Sequence, residues 1–256
     1  MAPLLQRREA AIGPGQGVGS ERRNTVRRTL LSLILLPLLT GATSPASAGG
    51  LDVRLGAFVP RAESNLFLDD ESLYLVSKED WVGFTWGIEY NHVLAKNLEI
   101  ALSVDGYQRT IDTSYRDWTR PDGSDIFQTL RLNITPFGLT FQLVPTSKRT
   151  KVAPFIGGGI DLFYWKYQEF GEFIDFFDPD LPVYEDHFIS SGVAFGFHAT
   201  GGVRFYLNRD FAIVVRGVYQ WAEADMGGDF SPNEPGLINR LDLSGAGLTF
   251  GLHVRF

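Results

Sequence analysis

Cysteine is absent from the 256 residues of this chain, and basic residues and long apolar runs are scarce. Without cysteine, neither a disulfide framework nor a lipidated N-terminal cysteine can form. The chain has 23 Lys and Arg against 30 Asp and Glu, and this net charge of -7 disfavours a nucleic-acid partner. The apolar run at residues 30–39 is too short to cross a bilayer as a helix, which disfavours a helical membrane anchor.

The first 48 residues have the pattern of a secretory signal peptide. Arg27 and Arg28 precede the apolar run, and the small residues of segment 44–48 (Ser-Pro-Ala-Ser-Ala) follow it. This order of basic, apolar and small residues predicts cleavage after Ala48. Residues 1–25 are rich in Gly and Arg and do not fit the pattern, so we expect that translation starts near Val26. The predicted domains are a leader at residues 1–48 and one mature domain at residues 49–256.

The last nine residues alternate between apolar and polar side chains. Leu248, Phe250, Leu252, Val254 and Phe256 are apolar, and the residues between them are Thr, Gly, His and Arg. A period of two predicts a β-strand with one apolar face. The segment resembles the closing strand of bacterial outer-membrane β-barrels, in which a terminal aromatic residue, here Phe256, is the signal that the barrel-assembly machinery reads.

Similar alternation recurs along the mature chain and predicts eight strands. They cover residues 51–59, 82–92, 98–109, 126–144, 152–167, 192–207, 211–220 and 248–256. Three short turns alternate with four long loops, so both termini lie on the short-turn side. These features predict an all-β fold, an eight-stranded antiparallel up-and-down transmembrane β-barrel. A soluble barrel with an apolar interior is disfavoured, because the apolar faces would form too large an exposed patch in water.

The fourth strand reverses its phase. Leu130, Leu132 and Ile134 share one parity, whereas Leu139 and Phe141 share the other. If all five face lipid, one extra residue must lie between the two groups, and we predict a β-bulge near Pro136.

The polar faces carry charges of both signs, and we predict that they form a network in the lumen. Its predicted members are Arg54, Glu89, Glu99, Asp105, Arg109, Arg131, Asp161, His198, Arg204, Arg216, His253 and Arg255, with Asp52 beside them. The interior of an eight-stranded barrel is wide enough only for side chains, and buried charges must pair. We predict a salt-bridged plug, with Asp161 paired to Arg204 and Glu89 to Arg216. A narrow gated conduit is the alternative.

The fifth strand carries the sequence Pro154-Phe155-Ile156-Gly157-Gly158-Gly159. This proline-aromatic-x-Gly-x-Gly pattern resembles the family of OmpA-like outer-membrane β-barrel domains. The resemblance implies a monomer in the bacterial cell outer membrane, with outer-membrane lipid and lipopolysaccharide as partners. It also implies a non-enzymatic role in membrane structure or surface interaction, without a cofactor. An OmpW-like narrow channel for small or apolar solutes is the alternative, although such a channel needs an apolar lumen.

Two other patterns suggest chemistry less strongly. His198 and Thr200 share a face, as a hydrolase needs, and His198 and His253 are close enough in strand order to meet. A lipid-modifying enzyme is therefore a further alternative, but an interior histidine bonded to its neighbours is the preferred interpretation. The acidic segment 168–187 suggests Ca²⁺ binding, yet it lacks the glycine and spacing of a calcium loop. We predict a solvated outer loop without metal.

The turns and loops differ in charge, and this difference predicts the orientation. The predicted periplasmic turns contain the basic residues Lys96, Lys148, Arg149, Lys151 and Arg209. The long loops are acidic and are expected outside the cell.

Overall fold

The computed structural model describes residues 49–145, 151–176, 178–230 and 239–256. The predicted signal peptide and the turn residues Lys148 and Arg149 lie outside this described part. The strands are β1 (Gly49–Pro60), β2 (Gly83–Ala95), β3 (Leu98–Thr119), β4 (Asp125–Leu143), β5 (Val152–Ile174), β6 (Val183–Tyr206), β7 (Phe211–Asp225), β8 (Arg240–Asp242) and β9 (Gly245–Arg255). Helix α1 spans Asn65–Leu73, and two 3-10 turns span Lys78–Trp81 and Gly228–Phe230. Among these described residues, the helices are all too short or too polar to cross a membrane.

The sheet closes on itself and confirms the predicted fold. Strands β1 to β7 pair in order, β7 pairs with β9, and β9 pairs back with β1, all antiparallel. Eight strands therefore form the ring, and β8 pairs with the far end of β7 beside it. The two ends of the closed chain meet, because Gly49 N donates to Phe256 O at 3.0 Å.

Three strands are much longer than a membrane requires. Strands β3, β5 and β6 contain 22, 23 and 24 residues, whereas about 9–11 residues suffice to span a bilayer. The barrel therefore continues beyond the membrane at the end where the long connections lie. We call the membrane-spanning part the belt region and the continuation the loop region.

The outer surface of the belt region is apolar. Phe195 is 78% exposed, Phe197 65% and Ile156 64%, and all three point away from the barrel. Trp86 and Tyr164 lie on the same surface, near the loop region. Such a surface is stable only against lipid, and aromatic residues near its edges are typical of outer-membrane barrels.

Strand β4 contains no bulge at Pro136, so that prediction was wrong. Ile134 pairs with Tyr107 and Phe137 with Val104, which leaves the register to β3 unbroken. Even-numbered residues face the interior along the whole strand, and Leu130 and Leu132 are fully buried. The apolar residues change parity because the environment changes: outside the belt region, water replaces lipid and the apolar side chains turn inward.

The interior of the loop region is an apolar core. Its members come from the end of β1, from β3 to β8 and from the connections, and include Phe58, Leu66, Phe67, Trp81, Tyr107, Leu130, Leu132, Ile134, Phe163, Trp165, Phe173, Phe188, Met226, Phe230 and Leu241. Helix α1 lies in the first connection, where a loop was predicted. Its Leu66 and Phe67 enter the core, and the Phe67 ring contacts Trp81 edge-on with centroids 5.2 Å apart. The first connection, residues 61–82, therefore closes the barrel mouth, and we call it the mouth plug.

Two of the four predicted long loops are mainly strand. The second connection is only residues 120–124, and the third is residues 175–182 between β5 and β6. The acidic segment 168–187 is thus a hairpin whose side chains alternate between two faces. Glu169 points into the barrel, whereas Glu172 forms an ion pair with Arg120.

Candidate functional site

The interior of the belt region contains a dense group of charged side chains, which we call the lumen cluster. Its members are Asp52, Arg54, Glu89, Glu99, Asp105, Asp161, His198, Arg204, Arg216 and His253. They project inward from seven of the eight ring strands, because every second residue of each strand faces the lumen. The structure thus brings together ten of the predicted charges.

Glu89 lies at the centre of the lumen cluster. It is 1% exposed, forms an ion pair with Arg54 at 3.1 Å and accepts a hydrogen bond from Gln142 Nε2 at 2.8 Å. It also pairs with Arg216, as predicted. Arg54 in turn donates to Asp105 Oδ1 at 3.1 Å. Glu89 therefore links opposite walls of the barrel.

Arg204 does not pair with Asp161, so that predicted contact was wrong. Its Nη1 donates to Glu99 Oε2 at 2.7 Å, and its Nη2 donates to Asn91 and Gln142, each at 3.1 Å. The reason is depth: the register places Arg204 opposite Ala153 of β5, eight residues from Asp161. At about 3.3 Å per residue, no side chain spans that separation.

The two interior histidines each bind a different aspartate. His198 Nδ1 lies 2.6 Å from Asp161 Oδ2, and His253 Nδ1 contacts Asp52. On its other side, His198 Nε2 lies 2.9 Å from Thr140 Oγ1. The predicted meeting of the histidines does not occur.

The hydroxyl of Thr200, which the disfavoured hydrolase alternative would pair with His198, has other partners. Thr200 Oγ1 donates to the Gly217 carbonyl at 2.9 Å and accepts from Arg216 Nε at 2.6 Å. Three neutral polar residues that were not predicted complete the lumen cluster: Thr140, Gln142 and Asn91. Their inward parity on β4 and β2 was the available signal.

Three predicted network members lie elsewhere. Arg131 faces outward in the loop region, because the bulge that would have turned it inward is absent. Arg109 donates to the main-chain carbonyl of Asp80 at 2.6 Å. Arg255 lies at the turn end, with its guanidinium carbon 4.3 Å from the ring centre of Tyr206.

Two inward glycines make room for the carboxylates. A Cβ atom on Gly87 would lie 1.9 Å from Asp105 Oδ1, and one on Gly138 would lie 2.6 Å from Asp161 Oδ1. Real Cβ atoms do not approach oxygen so closely. Gly87 and Gly138 are the direct cross-strand partners of Asp105 and Asp161, so glycine at both positions lets each carboxylate lie over the adjacent strand.

The lumen cluster separates two small cavities. One, of about 50 Å³, lies toward the loop region and is lined by Arg54, Asp105, His198 and Tyr107 among others. The second, of about 70 Å³, lies at the turn end and is lined by Lys96, Glu99 and Arg255. Each has room for only a few water molecules.

An ion pair at the rim attaches the mouth plug to the last connection of the barrel. Arg61 Nε donates to Asp242 Oδ2 at 2.8 Å, and this bond raises the pKa of the Arg61 guanidinium. Asp242 N donates to Ser64 Oγ at 3.1 Å, immediately before helix α1. The first and last connections are thereby held together.

The described residues offer no cluster of three or more His, Asp or Glu side chains arranged to hold a metal ion. The acidic hairpin that suggested Ca²⁺ distributes its carboxylates over two faces, so they do not converge.

Comparison with known proteins defines the class. No family model and no curated protein sequence matches this chain. Among solved structures, the outer membrane protein OprG from Pseudomonas aeruginosa aligns with 82% of this chain and 96% of its own, at 11% identity and a TM-score of 0.51. Neisserial surface protein A aligns with 82% of this chain and 97% of its own, at 13% identity and a TM-score of 0.47. The chain has the fold of an outer-membrane β-barrel, and the fold and the apolar belt place it in the bacterial outer membrane.

Proposed function

We propose that this protein is a non-conducting and non-enzymatic outer-membrane barrel of the OmpA-like kind. It acts as a monomer in membrane structure or in interactions at the cell surface. The observation that carries the proposal is a double closure of the interior: the lumen cluster fills the belt region, and the apolar core fills the loop region.

The two closures differ in chemistry, and this difference strengthens the proposal. An ion would have to pass side chains that already pair with one another, among them Arg54, Glu89 and Arg216. It would then have to cross an apolar core, where an unpaired charge costs several kcal/mol. An apolar solute would have to leave the apolar core and pass the buried charges of the lumen cluster, which is unfavourable for it.

Conductance across a planar lipid bilayer tests the proposal. The purified barrel should give no stepwise current, because neither closure offers a water-filled path. Glu89→Ala removes the central carboxylate of one closure only and, like Glu223→Ala at the exposed rim, should give no steady current, because the apolar core still closes the loop region. Regular channel openings from the unaltered protein would contradict the proposal.

A second candidate function is an OmpW-like path for apolar solutes. The observation in its favour is that the interior of the loop region is apolar and aromatic, not charged as the sequence suggested. Helix α1 would have to leave the mouth for a solute to enter. The chain has no cysteine of its own, so cysteines placed at Asn65 and Asn239, whose side chains contact each other, can be joined by a short reducible cross-linker that reacts with two thiols.

The double variant Asn65→Cys/Asn239→Cys separates the two candidates. Vesicles containing the barrel are tested for uptake of a fluorescent alkane analogue before and after cross-linking. The non-conducting proposal expects no uptake in either state. Uptake that stops on cross-linking and returns when the cross-linker is reduced would support the channel.

The proposal excludes catalysis at His198 on grounds of access. Asp161, His198 and Thr140 are arranged in the order of a hydrolase relay, but Thr140 is fully buried under its neighbours. A substrate carbonyl has no room beside its hydroxyl. A fluorophosphonate probe should therefore leave the protein unlabelled, and labelling that disappears in Thr140→Val would contradict the proposal.

A further inference from the structure

A polar patch faces outward in the loop region, directly beyond the lipid-facing belt. We call it the rim patch, and its members are Thr110, Arg131, Asn133, Lys166, Gln168 and His187. They lie on the adjacent strands β3, β4, β5 and β6.

The register fixes the height of the rim patch. Tyr164, at the edge of the belt, pairs with Thr135, and Lys166 pairs with Asn133 in the next outward row. Gln168 and Arg131 form the row after that. Lys166 and Arg131 are therefore the first two outward-facing cations met on β5 and β4 after the lipid surface ends.

Lys166 and Arg131 are diagonal neighbours across the β4–β5 pair. Diagonal neighbours lie about 7–8 Å apart on one face of a sheet. Both side chains are long enough to converge on a single anion between or above them. Asn133, on the same face, supplies a further hydrogen-bond donor, whereas the Gln168 amide already contacts His187.

Arg131 is held in position without losing its charge. Its Nε donates to Thr110 Oγ1 at 3.2 Å, and its guanidinium carbon lies 5.2 Å from the ring centre of Phe170. Those contacts leave the two terminal nitrogens for a ligand. Such a fixed guanidinium fork matches the oxygens of a phosphate.

Most other arginines at the loop end are engaged with oxygen atoms of the protein: three form ion pairs, and Arg109 and Arg116 donate to main-chain carbonyls. Arg61 pairs with Asp242, Arg120 with Glu172, and Arg240 with Glu223. Within the described residues, neither Arg131 nor Lys166 has an ion-pair partner. A pair of unneutralised cations beside lipid is complementary to an anionic headgroup.

We propose that the rim patch binds a phosphate of lipid A in the outer leaflet. The inference rests on the outer-membrane location and on the proposed orientation, in which the long connections face outside the cell. Lipid A places phosphate at the border between acyl chains and water, which is the height of Lys166 and Arg131. Arg131 binds two phosphate oxygens and Lys166 contributes a point charge.

Native mass spectrometry of the detergent-solubilised protein tests this proposal, with diphosphoryl lipid A, dephosphorylated lipid A and phosphatidylglycerol as separate probes. The unaltered barrel should retain diphosphoryl lipid A at least about tenfold better than the dephosphorylated form. Arg131→Gln/Lys166→Gln should lose this preference. The matched control Lys96→Gln/Arg209→Gln removes the same charge at the turn end and should keep it.

Three outcomes would overturn the proposal: equal retention of dephosphorylated lipid A, equal retention of phosphatidylglycerol, or unchanged binding by Arg131→Gln/Lys166→Gln. If that double variant does not fold, Lys166→Gln alone serves as the test. Lys166 is only partly buried, so this variant should fold, and the loss of its charge should still weaken binding several-fold. Bilayer conductance, measured on the same samples, reports separately on the closed lumen. A failed lipid preference with no current would reject only the rim patch.

Discussion

The belt region and the loop region of this barrel are built with opposite chemistry on the same strands. In the belt region, charges such as Glu89 and Arg204 are buried inside, and Phe141 and Phe195 face outward. In the loop region, Leu132 and Phe163 are buried inside, and polar side chains such as Thr129 and Asn133 face outward. The backbone alternates without interruption through both regions.

This reversal shows that the surroundings, and not the strand, decide which face is apolar. Lipid accepts apolar side chains outside the belt region, so the narrow lumen receives the polar ones and must pair them. Water surrounds the loop region, so the hydrophobic effect fills its interior as in a soluble barrel. The same protein therefore relies on ion pairs in one region and apolar packing in the other.

The largest effect is expected from Glu89→Ala in the belt region. The change leaves Arg54 and Arg216 buried without their shared carboxylate, and removing one partner of a buried ion pair costs about 3–5 kcal/mol. Urea unfolding of the refolded protein in lipid vesicles measures the loss. Glu223→Ala, which removes an exposed pair with Arg240, should cost about 0–1 kcal/mol. Equal losses in the two variants would show that the lumen cluster is solvated.

The apolar core should respond strongly to loss of volume. Leu132→Ala empties space in a fully buried position and should cost about 2–5 kcal/mol of unfolding free energy. Leu139→Ala, on the same strand, faces lipid, and the acyl chains can fill the space that it leaves. Its loss should be well below that of Leu132→Ala in the same urea titration. Similar losses at both positions would indicate that Leu132 also faces lipid, as the predicted bulge at Pro136 required.

A charge placed on the outer surface distinguishes lipid from water. Phe141 and Phe127 both face outward on β4, 50% and 62% exposed. Phe141→Arg inserts a cation into lipid and should cost about 2–4 kcal/mol, whereas Phe127→Arg in the loop region should cost close to nothing. Folding yields into vesicles and urea titrations measure both variants. A comparable cost at Phe127 would indicate that the loop region, too, is surrounded by lipid.

The sequence predicted the fold well wherever the environment was uniform. The alternation of β1 and β9 runs almost entirely through the belt region, with only Phe58 near the end of β1 in the loop-region core, and both strands lie within a few residues of their predicted positions. The eight-strand order and the inward parity of Glu89, His198 and Arg216 follow from the same period of two.

The predictions failed where the environment changed along a strand. On β4, the parity rule assumed lipid on both sides of Pro136, so it placed Leu130 and Leu132 outward and Arg131 inward. Helix α1 was missed because its two core residues, Leu66 and Phe67, lie in a polar and acidic segment. The partners of Arg204 depend on register and depth across the barrel, which no single strand encodes.

The smallest effect is expected at the rim, where the plug is fastened. Asp242→Asn keeps the shape of the side chain but removes the charge that Arg61 and the Glu63 amide share. Arg61 is 36% exposed, so water screens the pair and the loss should be about 1 kcal/mol. Because the ion pair holds the mouth plug and not the eight-stranded ring, the loss of stability should be confined to the plug. Hydrogen exchange at the amides of residues 61–66 should accelerate several-fold, while exchange in β9 stays unchanged. Acceleration in both segments would mean that plug and ring unfold as one unit, and the two regions would then differ in chemistry but not in stability.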